Sequence, residues 1–231
     1  MSTLSVVIPV YNEVNTLAEI LRAVRESGVE QLQIIVVDDA SSDGTSELIR
    51  NELASKIDIV VHHETNQGKG AALKSGIKHA EGRLIVFQDA DLEYDPRNFG
   101  HMLAAMTHEQ ADAVYGSRYL DRPFGESSPA WHQLINAGLT LLSNLFTGYR
   151  LTDMETCYKM FPACFLKEIT LEEKGFSIEP EMTAKAAASG LRLVEVPVSY
   201  ARRTFDEGKK IGLKDGFEAV YTIFKYGLRY L

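Results

Sequence analysis

Cysteine is scarce in this 231-residue chain: there are two, Cys157 and Cys164, seven apart and without CxxC spacing. That excludes a disulfide scaffold and a zinc or dithiol redox motif, and both read as reduced thiols, core or incidental. Long hydrophobic runs are missing as well; none approaches the roughly 18 apolar residues of a bilayer-spanning helix. No basic segment followed by an apolar stretch precedes the first strand-like run, so a signal peptide is not expected and a cytoplasmic location is. Positive charge is in deficit, with 24 Lys and Arg against 32 Asp and Glu and a net charge of −8. That balance disfavours nonspecific adhesion to nucleic acid. What remains, 45% hydrophobic and 24% charged residues, suits one ordinary globular domain with a real core.

The first half alternates short apolar runs with helical periodicity. Leu4 to Val10, Leu32 to Val37, Ile57 to His62, Leu84 to Phe87 and Ala111 to Tyr115 read as strands. Such runs fit strands buried on both faces of a largely parallel sheet, and the segments between them accommodate crossover helices. The fold class is α/β. Leu17, Ile20, Leu21 and Val24 recur at helical spacing, Ser42 or Asp43 can cap a helix carrying Leu48, Ile49 and Leu53, and a third helix is expected over Lys69 to Ala80. After Tyr115 a loop from Asp121 to Pro129 leads to an apolar helical stretch, Trp131 to Phe146. A helix over Glu179 to Ser189, a strand over Leu191 to Val196, polar Arg202 to Lys210 and a last helix from about Leu213 to Tyr230 follow.

Chemistry concentrates at strand ends. Asp89, Ala90, Asp91, Leu92 and Glu93 follow the strand at Leu84 to Phe87. Alternate side chains of extended backbone share a face, so Asp89 and Asp91, with Glu93 beyond them, converge at the carboxyl end, where open α/β sheets place ligands. Carboxylates without His or Cys suit Mg²⁺ or Mn²⁺ better than zinc. The competing reading is a polar turn with solvated acids. Asp38 and Asp39 end the second strand in the same way, and a carboxylate there can accept from a ribose hydroxyl or base edge. Asp43 and Gly44 read as cap and turn residues. Pro9, Tyr11 and Glu13 close the first strand; Tyr11 either packs on a nucleobase or belongs to the core. Asn66 to Gly70 is a Gly-rich turn before a helix, a place that favours phosphate. Gly70 stands where a Walker A motif needs Ser or Thr, and Leu73 where a dinucleotide fingerprint needs its third glycine, so neither motif is present.

Together these residues resemble family 2 glycosyltransferases of the GT-A type, in particular dolichyl- or polyprenyl-phosphate sugar transferases. Similar enzymes carry Pro-x-Tyr-Asn-Glu, Asp-Asp-x-Ser-x-Asp-Gly-Thr, Asn-x-Gly-Lys-Gly and Asp-Ala-Asp in that order, as at Pro9, Asp38, Asn66 and Asp89 here. The likeness continues through Gly116 to Tyr119, Thr152-Asp153, Glu179 to Glu181, and Arg203 with Glu207 to Lys210, covering about residues 4–212. The resemblance implies a GT-A fold in one catalytic domain: a nucleotide-sugar half over 1–116, an acceptor half over 117–212 and a C-terminal amphipathic helix over 213–231. It places Pro9, Tyr11, Glu13 and Asp39 on the nucleoside, with Lys69, Ala90 and Asp91 also contacting the donor. Asp89 and Asp91 hold the metal in this scheme, joined by Glu93 at a position where relatives often have Gln, so the role of Glu93 stays open. Arg118, Arg203 and Lys209 resemble basic residues used on donor diphosphate or acceptor phosphate, with surface charge as the alternative.

The activity so implied is metal-dependent, inverting transfer of a hexose from a GDP-mannose- or UDP-glucose-type donor to a polyprenyl or dolichyl phosphate. A phosphate acceptor is already anionic near neutral pH, its second pKa being about 6, and needs no general base. A hydroxyl acceptor would want a carboxylate such as Asp153 or Glu181. Transfer to a soluble glycan, small molecule or protein, and nonenzymatic nucleotide-sugar binding, are the alternatives. Leu134, Leu141, Leu142, Leu145 and Phe146 form one apolar face, and Phe217, Val220, Tyr221, Phe224 and Leu228 another beside Lys214, Lys225 and Arg229. Such faces either lie at a membrane interface, giving peripheral contact with its cytoplasmic side, or pack on the sheet or a second subunit. Oligomeric state is not legible in the sequence.

Overall fold

The computed structural model describes residues 3–120, 126, 129–202 and 213–230. Its chain order is β1 (Leu4–Val10), α1 (Leu17–Arg25), β2 (Leu32–Asp38), α2 (Thr45–Leu48, continuing irregularly to Lys56), β3 (Ile59–His62), α3 (Lys69–His79) and β4 (Leu84–Phe87). Then come α4 (Phe99–His108), β5 (Ala113–Ser117), α5 (Ala130–Thr147), β6 (Lys159–Pro162), α6 (Ala163–Glu168), α7 (Ile178–Ala188), β7 (Leu193–Pro197) and α8 (Leu213–Tyr230). Seven strands form one sheet in the order β3-β2-β1-β4-β6-β5-β7. All pairings are parallel except those of β6, which runs antiparallel to both β4 and β5.

Alternation along β1 sets the layers. Leu4, Val6, Ile8 and Val10 face Leu17, Ile20, Leu21 and Val24 of α1, whereas Val7 faces Ala72, Leu73 and Ile77 of α3. Every one of these is buried. Removing such a side chain from water is worth about 1.5–3 kcal/mol, so the two helical layers select the register that puts these residues inward. Gly76 lets α3 approach β1 closely, since a Cβ there would lie 2.3 Å from Val7 Cγ1.

The five early strands form where the apolar runs lie, with shifts of two residues at three ends. The ladder of β5 begins at Ala113, because Asp112 is occupied as a corner: its N–H donates to Arg192 O at 2.8 Å and its carboxylate accepts from Arg192 N at 2.8 Å. The third strand begins at Ile59 rather than Ile57, and the last spans Leu193–Pro197. Strand β6 and helices α4 and α6 have no counterpart in the sequence reading. Most of the expected loop from Asp121 to Pro129, and Arg203 to Lys210, lie outside the described residues.

Helices α5 and α8 pack against one another, with Phe146 and Phe224 rings 5.4 Å apart. Ala219, Ile223 and Tyr226 supply the buried side of α8. The α8 face picked out from sequence is turned outward: Phe217 is 77% exposed, Tyr221 68% and Leu228 67%. On α5 the expected face splits, Leu142 and Phe146 packing inward while Leu134, Leu141 and Leu145 are exposed. Lys225 and Arg229 pair with Glu172 and Glu173, so these two of the charges expected to attract anionic lipid are met within the chain, while the Lys214 side chain lies outside the described residues.

Candidate active site

Carboxyl ends of β1, β2 and β4 open onto one cavity of about 790 Å³. Every described candidate residue lines it: Pro9, Tyr11, Glu13, Asp39, Lys69, Asp89, Ala90, Asp91, Glu93 and Arg118. Arg203 and Lys209 lie outside the described residues. Parallel pairing of β1 with both β2 and β4 explains the convergence, since three strand ends stop side by side.

The loops after β1 and β2 lock together. Asn12, at φ +56°, accepts from Ser42 N at 2.8 Å and donates its own N–H to Ser41 Oγ at 3.0 Å. Asp43 accepts from Val14 N and Thr45 N, and Thr45 Oγ1 accepts from Glu13 N, so Asp43 serves the turn as the sequence suggests. Burial pushes the Asp38 carboxyl up, but donors from Ser41 and Ser46 outweigh it and hold its pKa below the usual value. Asp39 ties the Gly-rich turn to β2. Its carboxylate accepts from Gln67 N at 2.9 Å and Gly68 N at 2.7 Å, with His63 Nδ1 2.6 Å away.

That turn's glycines answer to packing. Gly68 has φ +92°, and a Cβ on it would lie 2.7 Å from Lys174 O; one on Gly70 would lie 2.7 Å from Glu173 O. Ala71 N, in the first turn of α3, donates to Lys174 O at 3.1 Å. The segment around residues 173–175 thus covers a helix start that the sequence offered to phosphate.

Lys69 points into the cavity. Its Nζ lies 2.9 Å from Asp89 Oδ1, 3.4 Å from Glu179 Oε1 and 2.8 Å from Cys157 Sγ. Burial works against the ammonium, yet Asp89, Cys157 and Glu179 keep its pKa well above the ordinary value. The Asp89 carboxyl is pushed up by burial and pulled further down by Lys69, so it stays ionised near neutral pH. Asp91 Oδ1 accepts from Glu93 N at 3.2 Å, while Glu93 Oε2 accepts from Tyr200 OH at 2.9 Å. Among the described residues no three His, Cys, Asp or Glu side chains gather as a metal cage.

Across the cavity Arg118 is clamped by buried Asp153. Nε and Nη2 each donate at 2.7 Å, and Arg118 N donates at 3.0 Å. Rings of Tyr119 and Tyr200 flank the guanidinium at 5.3 and 5.4 Å. Burial disfavours its charge, but Asp153 more than offsets that and its pKa is raised. Of the two carboxylates named as bases for a hydroxyl acceptor, Asp153 is occupied by this clamp. Glu181 does not line the cavity: it accepts from Glu172 N and Glu173 N and pairs with Lys185.

Several cavity residues had no role in the sequence reading: Asn136, Glu155, Cys157, Phe176 and Tyr200. Cys157, expected in the core or incidental, touches Lys69, and burial raises its thiol pKa well above the usual value, which makes it a poor nucleophile. Polar residues at helical spacing on α5 (Gln133, Asn136, Thr140, Ser143) are all buried, and that spacing was the available signal for Asn136.

This sheet, with acidic strand ends around a deep cavity, is the GT-A architecture, and a family model described as "Glycosyl transferase family 2" matches residues 5–169. The chain belongs to that family and is a glycosyltransferase, which sets aside the nonenzymatic alternative. It is 32% identical over 229 residues to an undecaprenyl-phosphate mannosyltransferase of Micrococcus luteus, covering 96% of this chain and 93% of that protein. It is 30% identical over 233 residues to a polyprenol monophosphomannose synthase of Mycolicibacterium smegmatis, covering 97% and 86%. Glucosyl-3-phosphoglycerate synthase from Mycobacterium tuberculosis, solved with Mn²⁺, UDP and phosphoglyceric acid, superposes with a TM-score of 0.72 at 19% identity, covering 98% of this chain and 78% of that one.

Proposed function

We propose that this glycosyltransferase moves a hexosyl group, mannose being the sugar favoured by the relatives' names, from a nucleotide diphosphate sugar to a polyprenyl phosphate. One observation carries the reading: a single cavity joins the Asp89/Asp91 strand end to an apolar rim formed by Trp131, Ile135 and Leu139 of α5 and Ala219 of α8. Leu134 and Leu145 on α5, 67% and 73% exposed, extend that apolar surface outward with Phe217 on α8. No helix among the described residues is long and apolar enough to cross a membrane. Peripheral contact through α5 and α8 would bring a lipid-borne phosphate to the cavity without a span.

Asp89 and Asp91 fit a divalent cation, Mg²⁺ or Mn²⁺, because their oxygens are hard donors and the position already draws the Lys69 ammonium to 2.9 Å. Oxygens of the donor's diphosphate would complete a shell that the protein supplies only in part. When bound, the cation neutralises charge on the departing diphosphate. Arg118, held charged by Asp153, faces the same space and stabilises phosphate oxygens. An oxygen of the acceptor phosphate attacks the anomeric carbon. The carbon–oxygen bond to the donor diphosphate breaks, the nucleoside diphosphate leaves with the electron pair, and a sugar phosphodiester forms with inversion. The acceptor, a dianion above its second pKa of about 6, needs no base.

Purified protein given labelled nucleotide sugars, Mn²⁺ or Mg²⁺ and undecaprenyl phosphate in detergent should carry label into the organic phase. Label appearing only on water-soluble acceptors would reject the lipid acceptor.

A further inference from the structure

Both side-chain amide atoms of Asn136 and Oε1 of Glu155 are buried with no hydrogen-bond partner among the described residues, and both residues line the active-site cavity. A buried polar atom left unpaired costs about 1–3 kcal/mol; of these three, Asn136 Nδ2 and, when protonated, the Glu155 carboxyl can donate, and they call for a ligand that accepts. They come from adjoining segments. One turn beyond Asn136, Thr140 Oγ1 accepts from Met154 N at 3.0 Å, which seats this face of α5 on the turn carrying Glu155. Lys159 Nζ donates to Met154 O at 2.9 Å and Thr156 O at 2.7 Å, fixing the backbone on either side of Glu155.

Charges around Glu155 are already matched. Arg118 after β5 pairs with Asp153, Lys159 of β6 with Glu179 of α7, and Lys69 with Asp89 after β4. Glu155 is the carboxyl left over. Its pKa is raised to about 7, chiefly by burial; Lys159 and Arg118 oppose the rise, and Glu179 and Asp153 add to it. His132 of α5 also lines the cavity. Oxygens of a phosphate monoester dianion only accept hydrogen bonds, so a water-poor site for one must supply donors.

We propose that Asn136 and Glu155 form the acceptor's phosphate subsite beside Arg118, with the Asn136 carboxamide and a protonated Glu155 carboxyl each donating a hydrogen bond to a phosphate monoester. The inference rests on the phosphate acceptor proposed above. Glu155 neutral is a donor; Glu155 ionised repels the ligand. Acceptor affinity therefore falls as pH rises through about 7, where the acceptor itself has finished ionising.

The test measures KM and kcat from pH 6.5 to 8.5 at saturating donor and metal. Two acceptors are used, polyprenyl phosphate in detergent and a water-soluble short-chain alkyl monophosphate, with thermal unfolding to check each variant's fold. Wild-type KM is expected to rise about tenfold over that range, from loss of the neutral carboxyl, with kcat little changed and with both acceptors alike. Glu155→Gln, which stays a neutral donor, is expected to give a flat KM. Asn136→Ala should raise KM about tenfold at every pH, the loss of about one good hydrogen bond. A Glu155→Gln variant that keeps the wild-type slope, or loses kcat more than a hundredfold with KM unchanged, would overturn the subsite. So would a shift confined to the micellar acceptor. A wild type that transfers to no phosphate refutes the proposed function and the subsite together, whereas transfer with a pH-independent KM refutes the subsite alone.

Discussion

Asp153→Asn isolates the electrostatics behind Arg118. Asp153 is fully buried and accepts three hydrogen bonds from Arg118, whose side chain is 14% exposed. Removing one partner of a buried pair costs about 3–5 kcal/mol, because the remaining charge is left uncompensated. Asparagine keeps one acceptor oxygen, and Glu195 still holds the backbone by accepting from Thr152 N and Asp153 N. The lower end, about 3 kcal/mol, is therefore expected. For a chain of this length that lowers Tm by about 6–12 °C. Urea unfolding followed by circular dichroism gives the free energy directly. Adding Arg118→Met should recover at least about 1 kcal/mol relative to the sum of the single changes, since the orphaned charge goes with it. A stability within about 0.5 kcal/mol of wild type for Asp153→Asn, or strict additivity in the double variant, would refute the clamp.

Gly70→Ala pushes a methyl to 2.7 Å from Glu173 O and 2.9 Å from Lys174 C, both backbone. It should destabilise by about 1–3 kcal/mol, as overpacking does, and a neutral result in thermal unfolding would contradict the packing role given to this turn. Replacing Leu134, Leu145, Phe217 and Leu228 together by Ser should leave Tm nearly unchanged, since all four are exposed. The same change should reduce co-sedimentation with phospholipid vesicles severalfold, and undiminished vesicle binding would remove these faces from any membrane contact.

The parallel core was legible because strands buried on both faces leave a plain signature, short runs such as Leu4 to Val10 with nothing polar at most positions. Strand β6 left none. It has four residues, one a fully buried Lys159 whose charge is met by Glu179 and two carbonyls, and another a proline at its end. Its antiparallel place between β4 and β5 depends on partners far away in sequence. Acidic strand ends identified the cavity for the same reason that the strands were found: position after an apolar run. Asn136, Glu155 and Cys157 escaped because cavity-facing positions on a helix and in a turn follow from tertiary packing, here Thr140 against Met154. Periodicity left the α8 face open between a membrane interface and internal packing; Phe217, Tyr221 and Leu228 are exposed, and Ala219, Ile223 and Tyr226 do the packing.

The central claim is that the Asp89/Asp91 strand end grips the donor's diphosphate through a divalent ion. Calorimetric titration of a nucleoside diphosphate, with and without Mn²⁺, into wild type and Asp91→Asn tests it directly. The ion should tighten binding by tenfold or more in wild type, about 1.4 kcal/mol, and hardly at all in the variant, whose thermal unfolding stays cooperative. Equal metal enhancement in both proteins would contradict it.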